Sequence, residues 1–253
     1  MLAIFRRDIS TYFNSAMAWI LSAVYLFLTG IIFILMLSSF NDRSATAGMP
    51  QMGGGSPNVM NDLVVPYVWW MGFLLMFIVP MLTMRLFAEE RRTGTLETLF
   101  TYPLSDVDIV LGKFTAALAL TAVMLGLGYS SVIALCQKVS LDWNSVGLGF
   151  CGLLLVASAF IAFGLWASSL TASQVVAAAV TYGGLMLMWL VEVLEKDSLA
   201  SVKEKLGGLS VMEHLERLIR GNVTTHDLIY YVAWTGLFLF LTCRVLESRK
   251  WSS

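Results

Sequence analysis

Asp, Glu, Lys, Arg and His are absent from Ala16 to Leu37, Leu63 to Met84, Phe114 to Gln137 and Trp143 to Val191. A helix needs about 20 predominantly apolar residues to cross the hydrocarbon core of a bilayer. The chain therefore reads as all-α, a polytopic membrane protein. Its 58% hydrophobic and 13% charged composition departs from the roughly one quarter charged of soluble domains, which excludes a soluble enzyme. The polar intervals are each about 35 residues or shorter, too short for a separate large soluble domain, so residues 1–253 read as one transmembrane domain. A net charge of -1 argues against nucleic acid as a partner, since its binders carry a basic patch or stripe.

Six spans are expected: Ala16 to Leu37, Leu63 to Met84, Phe114 to Cys136, Val146 to Ser168, Ala172 to Val191 and Leu228 to Cys243. The uncharged stretch Trp143 to Val191 is about twice one span, and Ser168, Ser169, Thr171, Ser173 and Gln174 mark a hairpin inside it. The last span is short, but eight residues between Leu228 and Leu241 at about -0.3 to -0.6 kcal/mol each favour insertion by roughly 4 kcal/mol. Tyr230, Tyr231 and Trp234 are expected at one interface. Cys136, Cys151 and Cys243 fall in or at the ends of spans and read as small apolar fillers. The first apolar run is longer than a signal-peptide core and no small-residue cleavage site follows it, so it is expected to stay as a helix.

An orientation with both termini cytoplasmic puts Arg6, Arg7, Arg85, Arg91, Arg92, Lys113, Arg244, Arg249 and Lys250 inside. It leaves Arg43, Lys138, Lys196, Lys203, Lys205, Arg217 and Arg220 outside. Residues 1–15 read as an interfacial helix, because Leu2, Phe5, Ile9, Tyr12, Phe13 and Ala16 recur at helical spacing. Gly53 to Gly55, flanked by Pro50 and Pro57, form a linker and no phosphate cradle.

Residues 85–113 read RLFAEERRTGTLETLFTYPLSDVDIVLGK, a charged helix interrupted at Gly94 and a shorter second helix before Pro103. Ser105 begins a capping box with Asp108, so the third span is expected to extend into the cytoplasm. The segment is either a solvated hairpin that fixes topology or a docking surface in which Leu96, Leu99 and Phe100 enter a partner's groove, with Glu89, Glu90 and Glu97 on the rim.

Residues 192–227 are external in this orientation and carry an amphipathic helix, interfacial or re-entrant. Ser210 with Glu213 forms its capping box, and Val211, Leu215, Leu218 and Ile219 its apolar stripe. Glu213 with Arg217 and Glu216 with Arg220 are i,i+4 pairs, and Gly221 stops the helix. Thr224 with Asp227 opens the last span, so Val211, His214, Leu215, Leu218, Ile219, Arg220 and Gly221 form a candidate outer gate. Neither His214 nor His226 has a Cys or second His at ligand spacing, so no metal is expected.

The first five spans hold no ionisable residue of the kind a secondary transporter or channel keeps at membrane depth. No paired Asp, Ser/His pair or metal cluster of a membrane enzyme occurs there either. Ala122, Gly126, Ser130 and Ala134 form a small-residue stripe on the third span, read first as intrachain packing and second as pore lining.

The segment EERRTGTLETLFTYPLSDVDIVLGKF, Glu89 to Phe114, resembles a signature placed just after the second span of ABC type-2 transporter permeases. It is most similar to the branch containing the gliding-motility-associated permease and the permease of nitrous-oxide-reductase copper maturation. FRRDISTYFNSAMAWI, Pro80 to Met84, EHLERLIRGNVTTHDLIYY and the final Arg249-Lys250-Trp251 sit where that branch has them. The resemblance implies a permease subunit of an exporter in a bacterial inner membrane, built from two six-helix subunits, homodimeric or paired with a paralogue, and two cytosolic ATP-binding cassette subunits. It implies a coupling element matching Glu89, Glu90, Gly94, Thr95, Leu96, Glu97, Leu99, Phe100 and Pro103. ATP and Mg would be bound by the partner ATPase, since no GxxxxGK[ST] occurs here. Membrane lipids and an extracytoplasmic accessory protein complete the expected partners. The rival readings are a subunit that transmits force or anchors an envelope machine, and a secondary transporter.

Overall fold

The computed structural model describes residues 1–46, 58–95, 105–139, 141–197, 210–222 and 224–250. In chain order the helices are α1 (Leu2–Asn14), α2 (Ala16–Thr46), α3 (Val65–Thr83), α4 (Ala88–Arg92), α5 (Asp106–Lys138), α6 (Trp143–Leu170), α7 (Gln174–Asp197), α8 (Val211–Ile219) and α9 (Thr225–Lys250). A π-turn, Met60–Val64, leads into α3. Among the described residues no strand occurs.

Five helical stretches are long and apolar enough to cross a membrane: Ala16–Ala45, Met60–Arg92, Asp106–Lys138, Trp143–Leu170 and Thr225–Ser248. The fifth of the six expected spans corresponds to α7, whose apolar stretch Gln174–Leu190 is shorter than the others. The first, third, fourth and last expected spans lengthen, whereas helix α3 begins at Val65 after the π-turn and α7 begins at Gln174 and runs on to Asp197. The last span lengthens into α9, which runs 26 residues, because charge at its ends does not stop a helix from continuing into water.

Helix α6 is the centre of the bundle and packs against α3, α5, α7, α8 and α9. Seven consecutive residues, Ala159 to Leu165, are buried. Seven residues cover about two turns, so no side of the helix there faces outward. Small residues make this possible: a Cβ on Gly164 would lie 2.8 Å from Thr83 Cβ of α3, and one on Gly152 2.9 Å from Leu215 Cδ1 of α8. Helix α2 is peripheral by contrast. Its buried positions Ala18, Leu21, Tyr25 and Thr29 form one narrow stripe, while Trp19, Ile20, Phe27, Ile34 and Leu35 face outward.

Four of the largest fully buried side chains are tyrosines that tie one helix to the next. Tyr25 donates to Met71 O (3.3 Å), Tyr67 to Gly128 O (3.0 Å), Tyr129 to Val146 O (2.7 Å) and Tyr231 to Val211 O (2.6 Å). Each buries a large ring and still satisfies its hydroxyl on the spare lone pair of a backbone carbonyl. Tyr231, expected with Tyr230 and Trp234 at one interface, thus points into the bundle. Tyr231 is buried against α8, and Tyr230 stacks on His214 with ring centroids 4.3 Å apart.

The small-residue stripe on α5 also lies differently from its first reading. Ser130 and Ala134 are exposed, and nothing approaches within 4 Å of the Cβ position at Gly126. The face of α5 that packs within the chain carries Lys113, Ala117, Thr121, Met124, Gly128 and Val132 instead. The three cysteines are unpaired, with Cys136 buried and Cys151 exposed.

Candidate functional site

One end of the bundle is built around the break between α3 and α4. Pro80 lies near the C-terminus of α3, which ends at Thr83, and the chain turns through residues 84–87 before α4. A buried turn must find partners for its backbone groups. Ser168 of α6 supplies them: its Oγ accepts from Phe87 N and Ala88 N and donates to Met84 O, all at 3.1 Å. Arg91 donates to Leu170 O at 3.0 Å, so both ends of α4 are fastened to the end of α6. The sequence presents Ser168 only as part of a hairpin patch. Its role depends on a turn 80 residues away, which no local spacing records.

Helix α1 closes on the same end. Its buried residues include Ile4 and Asp8, while Phe5 and Ile9 of the expected stripe are half-buried. Gly112 lets Ile4 approach, since a Cβ there would sit 2.9 Å from the isoleucine Cβ. This contact brings Asp8 to Lys113, whose side chain is 3% exposed. Lys113 Nζ lies 3.3 Å from Asp8 Oδ2 and 2.8 Å from Glu90 Oε1, and 5.3 Å from the centre of the Phe87 ring. Arg7 Nη2 closes the cycle at 2.7 Å from Glu90 Oε1 and 2.8 Å from Asp8. Burial depresses the Arg7 pKa, but hydrogen bonds and the charges of Asp8 and Glu90 more than offset it and raise it. Two cations and two anions from α1, α4 and α5 thus form a neutral, mostly desolvated knot, the arrangement buried charge requires.

Of the residues expected to form a coupling element, Glu89, Glu90, Gly94 and Thr95 are described. Glu90 is turned inward to Lys113 and Arg7, whereas Glu89 is half-buried and 3.9 Å from Arg85. Gly94 has φ +72°, so it ends α4 in the left-handed region that favours glycine. Thr95 donates to Glu90 O at 3.3 Å. Leu96, Glu97, Leu99, Phe100 and Pro103 lie outside the described residues. Ser105 caps α5, accepting from Asp108 N at 3.1 Å.

The opposite end is organised by α8, which is packed into the bundle between α3, α6 and α7. Ser210 caps it by accepting from Glu213 N, and both expected i,i+4 pairs are present. Gly221 (φ +79°), with Gly221 N on Leu218 O and Asn222 N on Arg217 O, forms a Schellman stop. Leu215 and Ile219 are fully buried, and Arg220 reaches Asn61 Oδ1 of the π-turn at 3.0 Å. The sequence spacing of His214 and His226 hides their proximity, for their rings lie 5.7 Å apart. His214, His226 and Asp227 place ligand-type atoms within 4.8 Å of one another. Arg217 already occupies this cluster, however, 2.7 Å from His214 Nδ1 and 3.1 Å from Asp227 Oδ1, with Asp227 Oδ1 2.5 Å from His214 Nδ1. A guanidinium there is itself the counter-ion of the carboxylate, and a metal ion would have to displace it.

A family model described as ABC-2 family transporter protein matches residues 2–251. No curated protein matches the chain.

Proposed function

The chain belongs to the ABC-2 family of transporter proteins, and from this we propose that it is the membrane-spanning permease subunit of an ATP-binding cassette exporter driven by a separate cytosolic ATPase. Association with an ABC ATPase is a general property of the family. Within it, the Glu89 to Phe114 signature favours the gliding-motility and nitrous-oxide-reductase maturation branch. In this reading α2, α3, α5, α6, α7 and α9 are six spans, both termini are cytoplasmic, and the membrane is a bacterial inner membrane.

The fastening of α4 carries the reading. A load applied to the coupling segment that follows Gly94 meets α4, which is tied to α1 and α5 through Glu90 and to α6 through Ser168 and Arg91. Closure of the ATPase subunits on Leu96, Leu99 and Phe100 would thus move the centre of the bundle rather than bend a loose loop. Because α6 is packed on all sides near its middle, a substrate path would run between two copies of the chain, and the outward small-residue stripe of α5 suits such a pairing. The same packing suits the second reading, a subunit that transmits force and moves nothing through itself. Replacing Leu96 and Phe100 by Asp is expected to abolish co-purification of the ATPase while the permease stays in the membrane. Retention of the ATPase at full stoichiometry would refute the coupling assignment, and absence of any ATPase from the wild-type preparation would favour a secondary transporter or anchor.

A further inference from the structure

Where α8 meets the start of α9, one nitrogen has two partners that it cannot serve at once. His214 Nδ1 lies 2.5 Å from Asp227 Oδ1 and 2.7 Å from Arg217 Nη2. An ionised carboxylate can only accept, and a guanidinium can only donate. Nδ1 carries either a lone pair, which suits Arg217, or a hydrogen, which suits Asp227. The side chains of His214 and Asp227 are 0% and 1% exposed, so bulk water does not relieve the conflict. Arg217 is the partner able to leave, since its side chain is 35% exposed and Nη1 already holds Glu213 Oε1 at 3.1 Å.

We propose that His214 is a proton-operated switch at this junction. With Nδ1 unprotonated it accepts from Arg217, whose Nε and Nη2 each lie 3.1 Å from Asp227 Oδ1, and the guanidinium bridges α8 to α9. When the ring takes up a proton, Nδ1–H donates to Asp227 instead. Arg217 then faces a second cation and swings out to Glu213 and water. Histidine ordinarily changes charge between about pH 5 and 8, so acidification turns Arg217 from a bridge between two helices into a surface residue of α8. The Tyr230 ring, stacked on His214 at 4.3 Å, favours the imidazolium. The other rings facing it are Tyr231 and the exposed His226. The remaining charges of α8 pair with each other, Glu216 with Arg220. Helices α3 and α6 bring no charged residue against α8. The α6 N-cap Asp142 is engaged by Asn144 and Ser145, and Asp62 of the π-turn by Asn58 N. The charged residues of α7 are Glu192, Glu195, Lys196 and Asp197, all near its C-terminus. In the proposed orientation the switch faces outside, but the exchange of partners does not depend on that orientation or on an ATPase.

The test is NMR of the full chain in mild detergent, with nitrogen-15 in the His and Arg side chains, titrated from about pH 8 to about pH 5. The chain has two histidines, so His226→Gln assigns the ring signals, and Arg217→Gln identifies the Arg217 Nε–H. At the alkaline end His214 Nδ1 is expected to show the shift of an unprotonated acceptor, with the Arg217 Nε–H exchanging slowly with water. On acidification the ring is expected to become imidazolium and Arg217 exchange to rise about tenfold at the same midpoint, the loss of one hydrogen bond to a charged group. His214→Asn keeps an acceptor near the Nδ1 position but cannot titrate, and is expected to leave Arg217 protected throughout. His226→Gln is expected to leave the coupled change intact. Arg217 exchange that is constant with pH, or that changes at a midpoint apart from that of His214, would overturn the proposal. So would a hydrogen on Nδ1 at the alkaline end with Arg217 still protected, or loss of the coupled change in His226→Gln. A pH-dependent Arg217 in His214→Asn would assign the proton to another group, and should that variant fail to fold, the wild-type titration decides.

Discussion

Lys113 shows how much of this protein's behaviour is concentrated in single side chains. Its ammonium is enclosed by Asp8, Glu90 and the Phe87 ring, and removing one member of a buried charge cluster costs about 3–5 kcal/mol because the others are left uncompensated. Lys113→Met is expected to lower the thermal midpoint of the purified protein by several degrees, whereas Lys113→Arg, which keeps the charge, loses less. An equal loss in both would mean that volume, not charge, holds the knot. Ser168→Ala strands two N–H groups and a carbonyl and is expected to cost about 2 kcal/mol or more, read as earlier aggregation on heating. Neither role was legible in the sequence. Lys113 stands there as one more basic residue fixing orientation, and Ser168 as one more hydroxyl in a turn, because their partners come from elements 23 to 105 residues away. Glu90 was singled out by its motif, but its inward direction depends on the same distant contacts.

Elements whose ends are set by i,i+3 and i,i+4 chemistry are the ones that could be read in advance. The caps at Ser105 and Ser210 and the stops at Gly94 and Gly221 all follow from neighbours within one turn. Which face an element buries was harder, because it depends on where small residues let a neighbour approach, as Gly112 does for α1 and Gly72 and Gly152 do for α8. Helix α6 adds a pH-dependent element. Its N-cap, Asp142, accepts from Ser145 Oγ and from Asn144 and Ser145 N, and the Ser145 hydroxyl followed by the Asn144 N–H holds its carboxyl below the usual range. The cap is thus fully present above the ordinary aspartate pKa and fades as pH falls through the lowered value. Asp142→Ala is expected to be less heat-stable than wild type at neutral pH, with the difference shrinking in acid and Asp142→Asn restoring most of it. For α8, a charge at Leu215 would be placed between α3 and α6, where the side chain is fully buried, at a cost of about 2 kcal/mol or more. If α8 gates the outer end of the pathway, Leu215→Glu and Ile219→Glu are expected to keep ATPase binding but hydrolyse ATP without transport. Parental transport in both would make α8 a passive strut.

At the scale of the whole molecule the open quantity is direction across the membrane, because the basic residues are nearly balanced, nine on the proposed inner side against seven on the outer. The structure regroups them. Arg7, Arg91 and Lys113 are held at one end of the bundle by contacts among α1, α4, α5 and α6, while Arg217 and Arg220 are held at the other by α8, the π-turn and the start of α9. Both groups are paired with acidic residues, Arg7 and Lys113 with Asp8 and Glu90, and Arg217 and Arg220 with Glu213, Asp227 and Glu216, so pairing does not tell one end from the other. The proposed orientation rests on the small excess of basic residues and puts the end carrying α1 and α4 in the cytoplasm. Single cysteines placed at Ser44, exposed near the end of α2, and at Ser201 are expected to react with an impermeant thiol reagent from outside, in a background lacking Cys136, Cys151 and Cys243. A cysteine at Thr93, exposed just after α4, is expected to react only after permeabilisation. The reverse pattern would invert the chain, place the segment after Gly94 out of reach of any cytosolic ATPase, and remove the basis for reading it as the coupling element.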